Sequence, residues 1–501
     1  MTQGNLGRRL GAQDAAFLYF EREEAPLHIG SIGVFEGEMP YERFVDAIAA
    51  KLHLIPRYLQ RAVPAPFNIG HPTWEWDLDF DIGRHIMRVR IDPPGTDAQL
   101  MDLAAQIFAT VLERHKPLWE MYLVEGLEGS RTALVSKVHH CQVDGVTGIE
   151  LLMIVMDVSP APPPPVPPAQ PLEKTPAAPP LTRFLDAVFD NISDSLERSV
   201  ERQKGFLDAV AGEGRGRAIG RALEMAVPYF AVPASRAPFN RPLAGGRKFA
   251  GSDFSFAEIR AIRQACGGTV NDVVLAVLGG ALGRYLEMHG QHTQGRAMRI
   301  LTPVNVRRED ERGALGNRVS MLLVEVPVDV RDPIERLRLI HQRTSSLKQR
   351  GVADGIEALE GVLGAVPPPL QSLLGALPPP PNTLANMVCT NVPGPMIPLY
   401  SIGHRLLAHY PLVPIAWEMG IGCGVTSYDQ KLYFGLIGDA EAGADVQRLK
   451  EFLDQAFIEL RAAAGVAKSE LPQVGVAPAP GASRRRRAAA PAAGPLAADA
   501  S

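Results

Sequence analysis

The apolar positions of this chain change period from segment to segment, and those changes outline its elements. Alternating or unbroken apolar residues over 32–35, 87–91 and 133–140 predict strands, whereas over 41–54 and 146–157 the apolar positions return at helical spacing. Beyond residue 235 the same reading predicts helices over 256–265, 270–288, 333–349 and 445–464, with another near the Pro-rich 367–381 stretch. Strands are expected there over 299–303, 319–328, 384–390, 420–428 and 431–437. Two α/β halves of comparable size emerge. Between them 159–180 is dense in Pro and Ala, a composition that keeps a chain extended and stiff. Leu181, Phe184, Leu185, Val188, Phe189, Ile192, Leu196 and Val200 then recur at helical spacing among charged residues, which predicts an amphipathic helix. Such a helix either covers a core or serves as a lid at a lipid surface. Gly205, Gly212, Gly214, Gly216 and Gly220 suggest a loose connector after it. The expected division is 1–158, a linker and helical connector over 159–235, a second domain over 236–466, and a disordered Ala/Pro/Arg-rich tail over 467–501.

At 501 residues, with 46% apolar and 21% charged residues, the chain has ample material for more than one core. Its formal net charge of -4 gives no electrostatic reason to expect a nucleic-acid partner. Cys141, Cys266, Cys389 and Cys423 are far apart and form no Cys-x-x-Cys pair, which argues against zinc and against a disulfide framework and fits a reducing cytosol. The first residues are polar and lack the apolar core of a signal peptide. No apolar run approaches the roughly 18 residues that a membrane helix needs. Any membrane contact is therefore expected to be peripheral, at the inner face of the plasma membrane or on lipid inclusions. The arginine run over 484–487 reads as solvated, or as attracted to anionic lipid.

Chemistry is spelled out in one place. The strand over 133–140 ends in His139 and His140, followed by Cys141, Gln142, Val143, Asp144 and Gly145. Adjacent side chains on a strand point to opposite faces, so the two histidines do not form a chelate. A histidine at a strand mouth, with an ordinary pKa near ~6.5, suits a general base that takes a proton from a hydroxyl or amine. Asp144 opens the helical run that follows, where it can cap the helix or turn back toward the histidine backbone.

The spacing His-His-x-x-x-Asp-Gly resembles the active-site motif of the bacterial wax ester synthase/diacylglycerol acyltransferase family. Further blocks match that family in order between about residues 10 and 460: Asp14 to Leu18, Pro117 to Glu120, Gly268 to Val274, Gly316 to Ser320, and Thr390 to Pro395. Cys141 stands where the family often has Ala. The resemblance implies an α/β fold of two chloramphenicol-acetyltransferase-like domains, each a mixed sheet flanked by helices, with the active-site channel between them. It implies that His140 is the base, that Asp144 orders the loop, and that His139 is its neighbour in the catalytic group.

The expected reaction moves a long fatty acyl group from acyl-CoA to a lipid alcohol. Diacylglycerol is the first acceptor considered, as the more general metabolic one, and a fatty alcohol giving a wax ester is the alternative. No Gly-x-Ser-x-Gly elbow lies near the motif, so direct transfer without an acyl-enzyme is the simpler route. A thiol leaving group with a pKa near ~8.5 needs little acid assistance. Asn271 is a candidate donor to the oxyanion, although Asn271 or Asp272 can equally be a helix cap, and the two roles are compatible. Gly145, Asp272, Thr390 and Asn391 are expected to line the substrate site, and the last two can also serve a turn for its own sake. Trp119 is expected to be a packing anchor with its N–H satisfied, and Glu120 to pair with a nearby cation. Arg318 is expected to meet either Asp144 or a CoA phosphate. With neither a phosphate loop nor a dinucleotide fingerprint, no cofactor beyond the acyl-CoA co-substrate is expected, and no metal. The rival readings are a condensation-type acyltransferase acting on carrier-bound thioesters, which shares the doubled His and the Asp-Gly, and a lipid-binding scaffold without turnover.

Overall fold

The strands of this chain range from wholly buried to half-exposed, and the computed structural model shows them gathered into two six-stranded sheets and one hairpin. The structure describes residues 9–143, 145–163, 174–175, 179, 181–182, 184–185, 233–305, 319–349, 366–378 and 384–469. In chain order these form α1 (Ala12–Phe20), β1 (His28–Phe35), α2 (Tyr41–Lys51), β2 (Gln60–Val63), β3 (Thr73–Trp76), β4 (Ile86–Arg90), α3 (Asp97–Ala109), β5 (Trp119–Leu127), β6 (Arg131–His139) and α4 (Gly145–Val155). There follow β7 (Arg247–Ser255), α5 (Phe256–Cys266), α6 (Val270–Met288), β8 (Ala297–Asn305), β9 (Val319–Pro327), α7 (Pro333–Gln349), α8 (Pro368–Ala376), β10 (Met387–Val392), β11 (Tyr400–Ser401), β12 (His404–Leu412), β13 (Ile421–Tyr428), β14 (Lys431–Asp439) and α9 (Val446–Ala463). The 159–235 linker and connector lie almost wholly outside the described residues, as does the chain from 470 onward.

The first sheet has the order β11-β12-β1-β6-β5-β4 and the second β7-β14-β13-β10-β8-β9. Both are mixed: β4 runs parallel to β5, and β10 runs parallel to β8 and β13, while the remaining pairs are antiparallel. The expected α/β class and mixed sheets are found. The division by sequence into 1–158 and 236–466 does not separate the two sheets, because β11 and β12 come from the second stretch and complete the first sheet beside β1. β12 lies close over β13 and β14, and a side chain at Gly435 would stand 1.8 Å from the Pro411 carbonyl oxygen. Only a residue without Cβ permits that approach.

Each half has its own core. Phe108, Ala104 and Leu100 of α3 pack on one face of the first sheet, and Phe35, Phe44 and Trp119 on the other. In the second half α6 is buried all round, from Val273 to Leu286, between its sheet and helices α7 and α9. Among the described residues no single helix is long and apolar enough to cross a membrane.

Candidate active site

The ends of β1, β5 and β6 hold the histidine pair. His28 lies opposite His139 in the β1–β6 ladder. The His139 backbone N–H donates to the Leu118 carbonyl at 2.9 Å, and that of His140 to the Leu27 carbonyl at 3.0 Å. The block at Pro117 to Trp119 therefore anchors His139 through its backbone. The chain then turns, with the Gln142 N–H donating to the His139 carbonyl at 2.9 Å.

The two histidine side chains have separate environments, as alternation requires. His139 is fully buried. Its Nδ1 accepts the Cys141 backbone N–H at 3.1 Å, which leaves the proton of a neutral ring on Nε2. That nitrogen stands 3.3 Å from Glu21 Oε1, in contact with the carboxylate but off the line of a good hydrogen bond. Glu21 also accepts the Leu27 N–H at 2.9 Å and an Arg114 N–H at 3.1 Å. Burial alone would raise its pKa, but the His139 ring, the Leu27 N–H and Arg114 outweigh that and bring it down to about 2. Glu21 is thus a fixed negative charge behind the histidine pair.

His140 is half-buried, and its ring stacks on Phe17 of α1 with centroids 4.0 Å apart and planes 8° from parallel. The aromatic face sets the plane of the imidazole and leaves the ring edge, where the nitrogens lie, to meet other groups. On the neighbouring strand His28 donates from Nε2 to the Phe108 carbonyl at 3.0 Å. Burial, helped by repulsion from Lys137, lowers its pKa to about 3, so it is neutral beside the site. Two residues past His140, the Gln142 amide has both polar atoms buried without a hydrogen-bond partner.

The remaining candidates distribute as follows. Asp144 and Arg318 lie outside the described residues. Gly145 is the first residue of α4. Trp119 is buried, donates from Nε1 to the Tyr58 carbonyl at 2.9 Å, and stacks against Tyr58 and His85, the anchoring role its sequence context suggested. Glu120 takes two cations, Lys116 and Lys137, both at 3.1 Å. The cap of α6 is Thr269, neither Asn271 nor Asp272: Asp272 is the far member of a capping box with Thr269. Both Asp272 carboxylate oxygens are engaged, Oδ1 by the Thr344 hydroxyl at 2.7 Å and Oδ2 by His341 at 2.9 Å. Asn271, on the same first turn, keeps its Oδ1 buried with no hydrogen-bond partner. An unpaired buried amide is costly unless a ligand completes it, and rotating the amide presents its N–H there instead. Thr390 and Asn391 are half-buried at the end of β10. The turn after them is tied by the Gly394 N–H to Ser427 Oγ at 3.0 Å and by the Thr426 hydroxyl to the Val392 carbonyl at 3.0 Å.

Sequence reading missed Glu21, Gln142 and His28, and it met Phe17 only as part of a block. Glu21 carries no local signal, since its partners come from β6, from Leu27 just before β1 and from Arg114.

The likeness to known proteins covers almost the whole described chain. Residues 10–274 match the wax ester synthase/diacylglycerol acyltransferase catalytic domain, and residues 315–461 match the C-terminal domain of the same family. A Mycobacterium tuberculosis protein named a probable diacylglycerol O-acyltransferase is 32% identical over 451 residues, spanning 89% of this chain and 94% of its own. A second protein of that name and organism is 30% identical over 478 residues, spanning 90% of this chain and 98% of its own. Among solved structures, a wax ester synthase/diacylglycerol acyltransferase from Marinobacter aquaeolei matches with a TM-score of 0.63 and 26% identity over 91% of this chain and 100% of its own. The first condensation domain of the calcium-dependent antibiotic synthetase shares the fold, with a TM-score of 0.58 at 14% identity, over 92% of this chain and 98% of its own. With both domain signatures in order around a histidine pair held on β6, this chain belongs to the wax ester synthase/diacylglycerol acyltransferase family of acyltransferases.

Proposed function

We propose that this acyltransferase moves a long acyl chain from acyl-CoA to diacylglycerol, giving triacylglycerol and free CoA, with His140 as the base. The observation that carries the role of His140 is its ring, half-buried and held flat on Phe17 at the mouth of β6 while His139 is turned away toward Glu21. Neutral His140 takes the proton of the acceptor hydroxyl as its oxygen attacks the thioester carbonyl. The tetrahedral oxyanion that forms takes a hydrogen bond from the Asn271 amide, whose unpartnered buried end supports this assignment. The C–S bond then breaks, and the imidazolium returns its proton to the departing thiolate.

The choice of diacylglycerol rests on the names of the two mycobacterial relatives. The Marinobacter relative, whose name includes both activities, favours a second reading in which a fatty alcohol is the acceptor. Labelled palmitoyl-CoA supplied with dioleoylglycerol or with hexadecanol separates the two by the product formed. In the same assay His140→Ala is expected to lower turnover by about 10²–10⁴-fold with acceptor binding retained. Turnover close to wild type would remove the histidine mechanism. Turnover of carrier-bound thioesters with none of acyl-CoA would favour a condensation-type enzyme.

A further inference from the structure

Helix α8 is amphipathic in the inverted sense. Leu370, Leu373 and Leu374, with Leu377 just past its end, form a stripe at helical spacing, and each is 44–57% exposed. Pro368, Gln371 and Gly375 face the protein instead. Beside the stripe Phe67 is 87% exposed. Its backbone is left-handed, as is that of Asn68, whose side-chain amide donates to Ser372 Oγ at 2.8 Å and ties this turn to α8.

Several backbone polar groups at the two ends of α8 are missing or paired. At the N-terminus Pro367, Pro368 and Pro369 bring no N–H, and the first two N–H groups present, of Leu370 and Gln371, both donate to the Pro367 carbonyl at 2.9 and 3.0 Å. At the C-terminus Arg22 donates to the Gly375 carbonyl at 2.9 Å and also to that of Leu377. Helices in water use proline starts and side-chain caps too, so these ends permit burial in an apolar medium rather than require it. In an apolar medium every unpaired backbone group costs several kcal/mol.

From these observations we infer that α8 and Phe67 form a foot that inserts into an uncharged lipid surface carrying the acceptor. The charge pattern agrees: no residue between Glu360 and His404 is Asp, Glu, Lys, Arg or His, and the one cation at the end of α8, Arg22, is engaged by its carbonyls. A second copy of the chain is a poor occupant, since a stable dimer needs about 800 Å² from each partner and one short helix with one phenylalanine falls short of that. Interfacial insertion asks only for a compact apolar face. The foot is also continuous with the site. α8 rests on α1, where a side chain at Gly375 would stand 2.4 Å from the Tyr19 carbonyl oxygen, and Phe17 of the same helix stacks on His140. The inference rests on the proposed lipid acceptor for its purpose, but its test is independent of turnover.

Flotation of the full chain with dioleoylphosphatidylcholine vesicles containing dioleoylglycerol is the experiment. Wild type is expected to float at low and high salt alike. The double substitution Leu373→Asn with Leu374→Asn should weaken partitioning by on the order of tenfold, and Phe67→Ser by a smaller factor. Melting temperature and turnover of water-soluble hexanol should stay at wild-type level in both variants. Failure of wild type to float, loss of floating at high salt, or equal floating of the variants would overturn the inference. So would a wild-type dimer that the substitutions dissociate, or a fall in melting temperature showing that the stripe is covered by the chain's own residues. A wild-type chain that floats yet acylates no acceptor would leave the foot standing and defeat the proposed function.

Discussion

Glu21 meets His139 on the side of the ring away from the Cys141 N–H, so the carboxylate and that N–H together select one tautomer. Glu21 Oε1 faces both the Leu27 N–H and His139 Nε2, while Oε2 takes Arg114, so replacing Glu21 by Gln keeps one oxygen for the first two but removes the charge and sets an amide N–H against the guanidinium. The donor-against-donor contact with Arg114 displaces the side chain, and His139 and the turn that carries His140 lose the carboxylate that holds them. Glu21→Gln is therefore expected to lower kcat by about 10–100-fold while KM for acyl-CoA changes little, as befits a residue that positions the proposed base. Steady-state kinetics with palmitoyl-CoA would test this, and an unchanged kcat would reduce Glu21 to a packing role. The candidate His140 stood out in the sequence because its motif is written in consecutive residues. Glu21 was not, since a glutamate after a short apolar helix looks like any exposed residue until β1 and β6 close over it. Asn271 stood between capping and chemistry, and the box formed by Thr269 and Asp272 relieves it of the cap.

Elements whose apolar residues repeat cleanly were read almost to the residue, as with α6 over 270–288 and α7 over 333–349. α2 stops at Lys51, short of the expected 54, because the chain passes into tight 3₁₀ turns before Pro56. β12 escaped detection. It belongs to the first sheet and packs on the second, with the burial order half-buried, exposed, buried and then twice half-buried, half-buried, buried, which is neither alternation nor an unbroken apolar run. α3 escaped because its alanines blur the contrast between its faces. The start of α6 depends on named hydrogen bonds, and a prediction follows. Thr269→Ala should cost about 1 kcal/mol of stability by removing the cap. Asp272→Ala should cost more, on the order of 2–4 kcal/mol, since it takes the acceptor from the Thr269 N–H and from His341 and leaves the Thr344 hydroxyl only the His341 carbonyl. Denaturant titration of the two variants would check the order, and equal losses would show that the link to α7 contributes nothing.

For the molecule as a whole, three buried groups tie stability to pH with one sign. Burial lowers the pKa of His28 to about 3 and that of His409 to about 4, from an ordinary 6.5, so the unfolded chain binds more protons than the folded one below pH 6.5. Their contribution is fully present above that value and declines as pH falls toward 4 and 3. Glu21, despite burial acting to raise it, drops from 4.5 to about 2 through its contacts with His139, Leu27 and Arg114, and its contribution is lost between those values. The urea midpoint is expected to fall steadily from pH 7 to pH 4, and a flat profile would show that these groups relax in the folded state. The general α/β class was legible from the order of helices and strands. The strand exchange was not, because nothing local marks a segment that pairs with residues more than 360 positions earlier. That exchange has a temporal side. A ribosome adding about 5–20 residues per second reaches β12 only tens of seconds after releasing β1, and until then the rim of β1 is an open ladder on a nascent polypeptide. A premature stop codon between β6 and residue 404 would make that state permanent, so the shortened product is fated for chaperones, proteolysis or deposits.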